Sequence, residues 1–88
     1  MYDYDAIIKL NEKDFIQAFN NLDSGILYIE KNSHLCEIYC DEILFDCFSS
    51  DIPVLHCFNE AKLVMTLDIC DLFIPYFVFN EIKFELRV

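Results

Sequence analysis

Cysteine and histidine are the first candidates for chemistry in this sequence, because both residue types bind zinc and both act in nucleophilic catalysis. The chain has five Cys and two His, and His34, Cys36 and Cys40 follow the spacing H-x-C-x3-C. Structural zinc sites usually pair their ligands as C-x2-C or H-x3-H. On one strand, Cys36 and Cys40 would stand about 13 Å apart, too far for one metal ion. The sequence therefore predicts no metal site and cysteines that act as small buried apolar residues.

A catalytic cysteine has little support. His56 and Cys57 are adjacent, and neighbouring strand residues point to opposite faces, so the two cannot form a dyad. Nothing in the sequence selects a distant pair such as His34 with Cys57. The single glycine, Gly25, leaves no recognisable oxyanion loop, phosphate loop or dinucleotide fingerprint. We therefore predict no enzymatic activity and no cofactor.

Carboxylates dominate the charge of the chain. Sixteen acidic and six basic residues give a net charge of −10, which disfavours direct binding to nucleic acid or to an anionic membrane. No calcium-loop pattern occurs among the acids. Asp41, Glu42 and Asp46 could form one acidic cluster, and Asp68 and Asp71 could form another. Each cluster is interpreted either as a solvated surface or as a contact for a basic partner.

The apolar segment 72–79 contains Phe73, Phe77 and Phe79 and gives conflicting signals. Both of its alternating faces are apolar, as in a strand covered on each side. Pro75, however, cannot donate a ladder hydrogen bond and is typical of an edge or a bulge. One interpretation is an edge strand covered by a second copy or another protein. The other is a strand covered by the helix on one face and by a loop on the other.

The N-terminal third of the chain changes from a period of two to a helical period. Residues 2–10 alternate and predict a strand with one solvated face. Asn11 as N-cap, with Asp14 three residues later, predicts a helix over about 12–21. Its predicted apolar stripe is Phe15, Ile16, Phe19 and Leu22, and its predicted solvent-facing residues are Lys13, Gln17 and Asn20.

The remainder of the chain is predicted to be rich in strands. The pattern predicts a hairpin of two strands over residues 26–31 and 35–40. It also predicts one strand over residues 53–58 and another over residues 81–88. The pattern over 41–50 fits a short helix or an irregular strand. Residues 62–69 also fit a helix, but their β-branched side chains favour a strand.

These elements predict one α+β domain over residues 1–88. An N-terminal helix is expected to pack on a mainly antiparallel sheet of five to seven strands. Phe15, Phe19, Phe84 and Leu86 are predicted to share one core.

The sequence also predicts a compartment. Its acidic start lacks the basic residues of a secretory signal, and its longest apolar run is short of the roughly 20 residues that span a bilayer. An odd number of cysteines does not suit a disulfide framework. A soluble protein of the cytoplasm is expected, or of the host cytoplasm if a phage encodes it, with reduced thiols.

In size and charge the chain is similar to small acidic phage or plasmid proteins that block nucleases or CRISPR complexes, and to immunity proteins that neutralise basic toxins. The leading hypothesis is a non-enzymatic inhibitor that mimics nucleic acid and occupies a basic surface of a nuclease or CRISPR effector. One alternative is an assembly subunit that forms a homodimer or larger homo-oligomer through strand 72–79. Another is a small metal or redox protein. The candidate partner-binding residues are Asp41, Glu42, Asp46, Asp68, Asp71, Phe73, Phe77 and Phe79.

Overall fold

The computed structural model describes residues 6–22, 25–31, 33–46, 54–69 and 74–87. Within these ranges the chain forms one helix and eight strands. In chain order they are β1 (Ala6–Leu10), α1 (Glu12–Asn20), β2 (Gly25–Lys31), β3 (His34–Cys40), β4 (Glu42–Asp46), β5 (Val54–Asn59), β6 (Lys62–Asp68), β7 (Tyr76–Phe79) and β8 (Ile82–Leu86). The helix α1, nine residues long, is too short to cross a bilayer, and no longer helix occurs in these ranges.

The described strands divide between two sheets. The first has the order β1-β8-β7-β2-β3, and the second has the order β4-β5-β6. All pairings are antiparallel except that of β1 with β8. The predicted antiparallel character is confirmed, and the arrangement is compatible with the predicted α+β class. The prediction of a single sheet of five to seven strands is wrong, because the described strands form one sheet of five and another of three. The helix follows β1, as the strand predicted over residues 2–10 requires.

The chain passes from the first sheet to the second at Asp41. This residue separates β3 from β4, and its N–H donates to the carbonyl oxygen of Phe58 in β5 at 2.9 Å. β4 then pairs with β5 along its whole length. The ambiguous segment 41–50 is thus a strand over Glu42–Asp46, while residues 47–50 lie outside the described ranges. The strand predicted over 62–69 is confirmed as β6.

The helix begins as its sequence predicts. The side chain of Asn11 accepts a hydrogen bond from the Asp14 N–H at 2.8 Å and so caps the first turn. Phe15 and Phe19 are 0% and 1% exposed. Because they lie four residues apart on one helical face, they reach the same sheet surface.

The core joins the helix to both sheets. Phe77 of β7 contacts Phe15 and Phe19 at centroid distances of 5.2 and 5.5 Å, and it stacks on Phe84 of β8 at 5.0 Å. The predicted shared core of Phe15, Phe19, Phe84 and Leu86 is confirmed. Further buried members of the same cluster are Leu27, Ile29, Ile38, Cys40, Ile43, Leu55, Cys57 and Ile69.

The strand β7 lies inside the first sheet. It pairs with β8 on one side and with β2 on the other, so the edge interpretation of segment 72–79 is wrong for residues 76–79. Pro75 precedes the first strand residue, where a missing N–H is tolerated. Its carbonyl oxygen accepts from the Leu86 N–H at 3.2 Å.

Asn20 is the main departure from the predicted helix surface. It was expected to face water, but its side chain is part-buried and pairs with the backbone of Ile43. The Ile43 N–H donates to Asn20 Oδ1 at 2.9 Å, and Asn20 Nδ2 donates to the Ile43 oxygen at 3.2 Å. These two bonds satisfy the backbone groups of Ile43 at the open edge of β4, as another strand would.

Replacing Asn20 with Ala is expected to lower the free energy of unfolding by about 1–3 kcal/mol, because both Ile43 groups lose a partner in a part-buried position. Urea unfolding followed by circular dichroism measures the change. Gln17→Ala is the matched control, since Gln17 is exposed on the same helix and its loss should stay within about 0.5 kcal/mol. Equal effects of the two substitutions would contradict a structural role for Asn20.

Candidate functional site

Strand register sorts the side chains of the second sheet between two faces. Ile43, Leu55 and Cys57 are each 0% exposed and point into the core. Because side chains alternate along a strand, Glu42, Leu44 and Asp46 of β4 point outward. The outward cross-strand rows are Glu42–Phe58–Leu63, Leu44–His56–Thr66 and Asp46–Val54–Asp68.

Three predicted acids therefore share one outer surface, which we call the acidic face and define as Glu42, Asp46 and Asp68. Asp46 and Asp68 flank Val54 in one row, at about 10 Å across two strand spacings. Glu42 lies about 13 Å from Asp46 along β4. Glu42 and Asp68 are exposed and Asp46 is half-buried. The register of three strands brings together acids that are up to 26 residues apart in sequence.

The charge of this sheet is strongly unbalanced. Residues 41–46 and 54–68 contain five acids against a single Lys, Lys62. Carboxylates about 10 Å apart repel one another only weakly, because the Debye length is about 8 Å at physiological ionic strength. The three carboxylates can therefore share one face with little mutual destabilisation.

His56 lies between two polar side chains at the centre of this surface. Its Nε2 is 3.5 Å from Asp46 Oδ2, and its Nδ1 is 3.1 Å from Thr66 Oγ1. The order of carboxylate, imidazole and hydroxyl is that of a catalytic triad. The 3.5 Å separation exceeds the 2.6–3.2 Å of a catalytic hydrogen bond, however. We interpret these contacts as cross-strand interactions that hold the Asp46 carboxylate in place.

Two exposed leucines accompany the acids. Leu44 and Leu63 are 46% and 56% exposed and lie on the same outer surface. Exposed apolar side chains rimmed by polar residues are typical of interaction sites. Neither leucine is among the partner-binding residues predicted from the sequence. Leu44 could have been found from its alternation with Glu42 and Asp46, had the helical alternative for 41–50 been discarded.

The other predicted partner residues lie elsewhere. Asp41 is half-buried, and its Oδ2 accepts from the Glu60 N–H at 3.1 Å, so it supports the β5–β6 turn. Phe77 is 2% exposed in the core and offers no side chain to a partner, which corrects that prediction. Phe79 is 49% exposed but lies at the end of β7 in the first sheet. Asp71 and Phe73 lie outside the described residues.

The cysteines fall into two groups. Cys40 and Cys57 are buried as predicted, whereas Cys36 is exposed, contrary to the prediction. Cys47 and Cys70 lie outside the described ranges. Within those ranges, no group of three or more His, Cys, Asp or Glu side chains could hold a metal ion.

A cavity of about 290 Å³ lies between the two sheets. Its lining includes Ile29 and Ile38 from the first sheet and Met65 and Leu67 from the second. Ligand pockets usually have volumes of about 300–1,000 Å³. This cavity falls just below that range, and we assign it no ligand.

The acidic face is the candidate site with the most geometric support. It places like charges on an open sheet surface with two exposed leucines among them. Comparisons with protein-family models, curated proteins and solved structures give no match for this chain.

Proposed function

We propose that this protein is a small acidic inhibitor that binds a basic, nucleic-acid-handling protein, such as a nuclease or a CRISPR effector, through the acidic face. The observation that supports the proposal is the register that puts Glu42, Asp46 and Asp68 on one outer surface with only Lys62 as a fixed cation in the same sheet.

The acidic face would act by charge complementarity. A groove that binds nucleic acid presents Lys and Arg to phosphates, and carboxylates at about 10–13 Å spacing can pair with the same cations. Opposite potentials also raise the association rate of two proteins. The protein then needs no catalytic group, because occupying the groove is enough to exclude nucleic acid.

Leu44 and Leu63 would provide the apolar part of the contact. Rim charges mainly change association and its salt dependence, whereas desolvated contacts mainly change dissociation. The two leucines are near the acids and exposed, so a partner that approaches the acidic face would also cover them. The charges would speed association with the partner, and the apolar contact would slow its dissociation.

The experiment is an affinity pull-down from host lysate with three tagged baits. The first is the wild type, and the second carries Glu42→Gln, Asp46→Asn and Asp68→Asn. The third is a matched control that carries Glu12→Gln, Glu37→Gln and Glu81→Gln, three exposed acids outside the second sheet. Wild type and control are expected to capture the same basic protein, and the acidic-face variant is expected to lose it.

The control separates local from global charge, because both variants change the net charge by the same amount. Loss of the captured protein from both variants would show that total charge alone determines binding. Retention by the acidic-face variant would overturn the proposed site. A captured protein with no nucleic-acid-binding activity would overturn the proposed partner class.

A second candidate function is self-assembly through β6, and one observation favours it. Leu63, Val64 and Met65 of this strand are 43–56% exposed. Antiparallel pairing of two copies centred on Met65 would place Lys62 of each opposite Asp68 of the other. A register shift in β6 opposite Cys57 and Phe58 is a feature that usually opposes edge pairing, so this function ranks second. Native mass spectrometry that shows a dimer, lost in Val64→Lys, would favour assembly.

A further inference from the structure

Cys40 and Cys57 meet where the two sheets join. Cys40 is the last residue of β3, and Cys57 lies in β5, the central strand of the second sheet. The residues that follow them are linked directly, because the Asp41 N–H donates to the Phe58 oxygen at 2.9 Å. Both cysteines belong to the core cluster and are 3% and 0% exposed. The structure thus holds two free cysteines in one buried cluster, and their side chains are close enough to share a hydrogen bond.

The two thiols differ in acidity. A hydrogen bond with Cys57 lowers the pKa of Cys40 below its usual value, against the opposing effects of burial and of Asp41. The same hydrogen bond, and then burial, raise the pKa of Cys57. When protonated, Cys40 donates to the Ile38 oxygen at 3.7 Å. Because the thiolate is the reactive form, this direction favours Cys40 as the nucleophile of the pair.

Of the two cysteines, Cys40 is the one that borders a surface cavity. It contributes to the wall of a surface cavity of about 340 Å³, together with Gly25, Ile26, Tyr39 and Asn59. Cys57 is fully buried beside it. A small solute that enters this cavity therefore meets Cys40 before Cys57.

We propose that Cys40 and Cys57 form an oxidisable dithiol site, which hydrogen peroxide converts into a disulfide between the two sheets. The Cys40 sulfur attacks one peroxide oxygen, the O–O bond breaks, and the released hydroxide takes a proton to become water. Cys40 is then a sulfenic acid. The Cys57 sulfur attacks the Cys40 sulfur, the S–O bond breaks, and a second water leaves with the Cys57 proton. One peroxide is reduced to two waters, and two thiols are oxidised to one disulfide.

The disulfide would also stabilise the fold. Residues 40 and 57 are 17 positions apart, and a covalent link over a loop of this size removes conformational entropy from the unfolded chain. The Tm is expected to rise by about 10 °C or more. Dithiol reductants should reverse both the bond and the shift, as for other reversible cysteine oxidations.

Peptide mapping of the whole protein tests the proposal without any substitution. The reduced protein is treated with a small excess of hydrogen peroxide, remaining thiols are alkylated after denaturation, and the digest is analysed by mass spectrometry. The expected product is monomeric, has lost two hydrogens, and contains one linked pair of peptides that carry Cys40 and Cys57. Dithiothreitol should restore both free peptides.

Three variants assign the roles of the cysteines. In Cys57→Ser, peroxide should leave a sulfenic acid on Cys40 that dimedone traps. In Cys40→Ser, oxidation of Cys57 should become at least about tenfold slower, because the ionisable thiol is gone. Cys36→Ser is the matched control on the same strand, and it should form the link at the wild-type rate. Disulfides through Cys36, Cys47 or Cys70, or oxidation of Cys40 to sulfinic acid without a link, would overturn the proposal.

Discussion

Replacing Phe19 with Ala is expected to lower the free energy of unfolding by about 3–5 kcal/mol. The Phe19 ring is 1% exposed and meets Phe77 edge to face at 5.5 Å. Its removal leaves a cavity between α1 and the first sheet. A domain of this size is stable by about 5–15 kcal/mol in total, so this one change removes a large share. Urea unfolding of wild type and variant at the same temperature measures it.

Gly25 supplies a sharp control for this prediction. A Cβ added at Gly25 would lie 3.0 and 3.1 Å from two carbons of the Phe19 ring, so Gly25→Ala should destabilise the wild type. In the Phe19→Ala background the obstructing ring is gone, and the same change should destabilise much less. Comparison of the two single variants with the double variant is a double-mutant cycle, and its non-additivity measures the contact between residues 19 and 25. A loss below about 1 kcal/mol for Phe19→Ala, or additive effects of the two changes, would contradict the observed docking of the helix.

Neutralising the acidic face is expected to slow association with the partner by about tenfold or more at low ionic strength. The variant is the triple Glu42→Gln, Asp46→Asn and Asp68→Asn. Loss of three carboxylates removes the attraction that steers the encounter, and it should flatten the dependence of the association rate on salt. Stopped-flow or surface plasmon resonance at several salt concentrations measures both quantities.

The control triple at Glu12, Glu37 and Glu81 has the same net charge and should keep most of the wild-type rate and salt slope. The control variant is expected to keep the wild-type free energy of unfolding within about 0.5 kcal/mol, since its three substitutions are at exposed positions. The acidic-face variant also weakens the contact of half-buried Asp46 with His56, and its free energy of unfolding is expected to fall by no more than about 1 kcal/mol. Identical salt slopes for wild type and acidic-face variant would exclude charge complementarity at this surface. The exposed Leu44 and Leu63 would then be the stronger interface candidates.

The helix could be predicted within one residue because its signals are local. The Asn11 cap and the spacing of Phe15 and Phe19 are both visible within a stretch of nine residues. The same is true of the β2–β3 hairpin, whose two strands pair along their whole length. Asn20 shows the limit, because its partner Ile43 is 23 residues away and no local pattern reveals that contact.

The division into two sheets could not be predicted for a related reason. A period of two shows that a segment is a strand, but it does not show which strand lies beside it. The passage between sheets at Asp41 depends on a backbone bond to Phe58, far along the chain. The segment 72–79 was ambiguous because an apolar run fits either an edge covered by a partner or an interior strand, and only the pairing of β7 with β2 and β8 decides for residues 76–79.

The candidate site was predicted in part. Charge alone identified Glu42, Asp46 and Asp68, yet only the paired register of β4, β5 and β6 shows that they share a face. Phe77 was predicted as a contact because it lies in an apolar run, but the docked helix buries it. An aromatic residue in such a run fits the core and the surface equally well until its neighbours are known.

If the acidic face occupies the nucleic-acid groove of a basic partner, this protein and nucleic acid must compete for that partner, which a competition titration measures. Labelled nucleic acid is bound to the partner identified by pull-down, and this protein is added at fixed ionic strength. The expected result is complete displacement, with the apparent Kd for nucleic acid rising in proportion to the added protein and the acidic-face variant requiring about tenfold more. A ternary complex that retains the nucleic acid, or equal displacement by wild type and variant, would show that the acidic face does not occupy the groove.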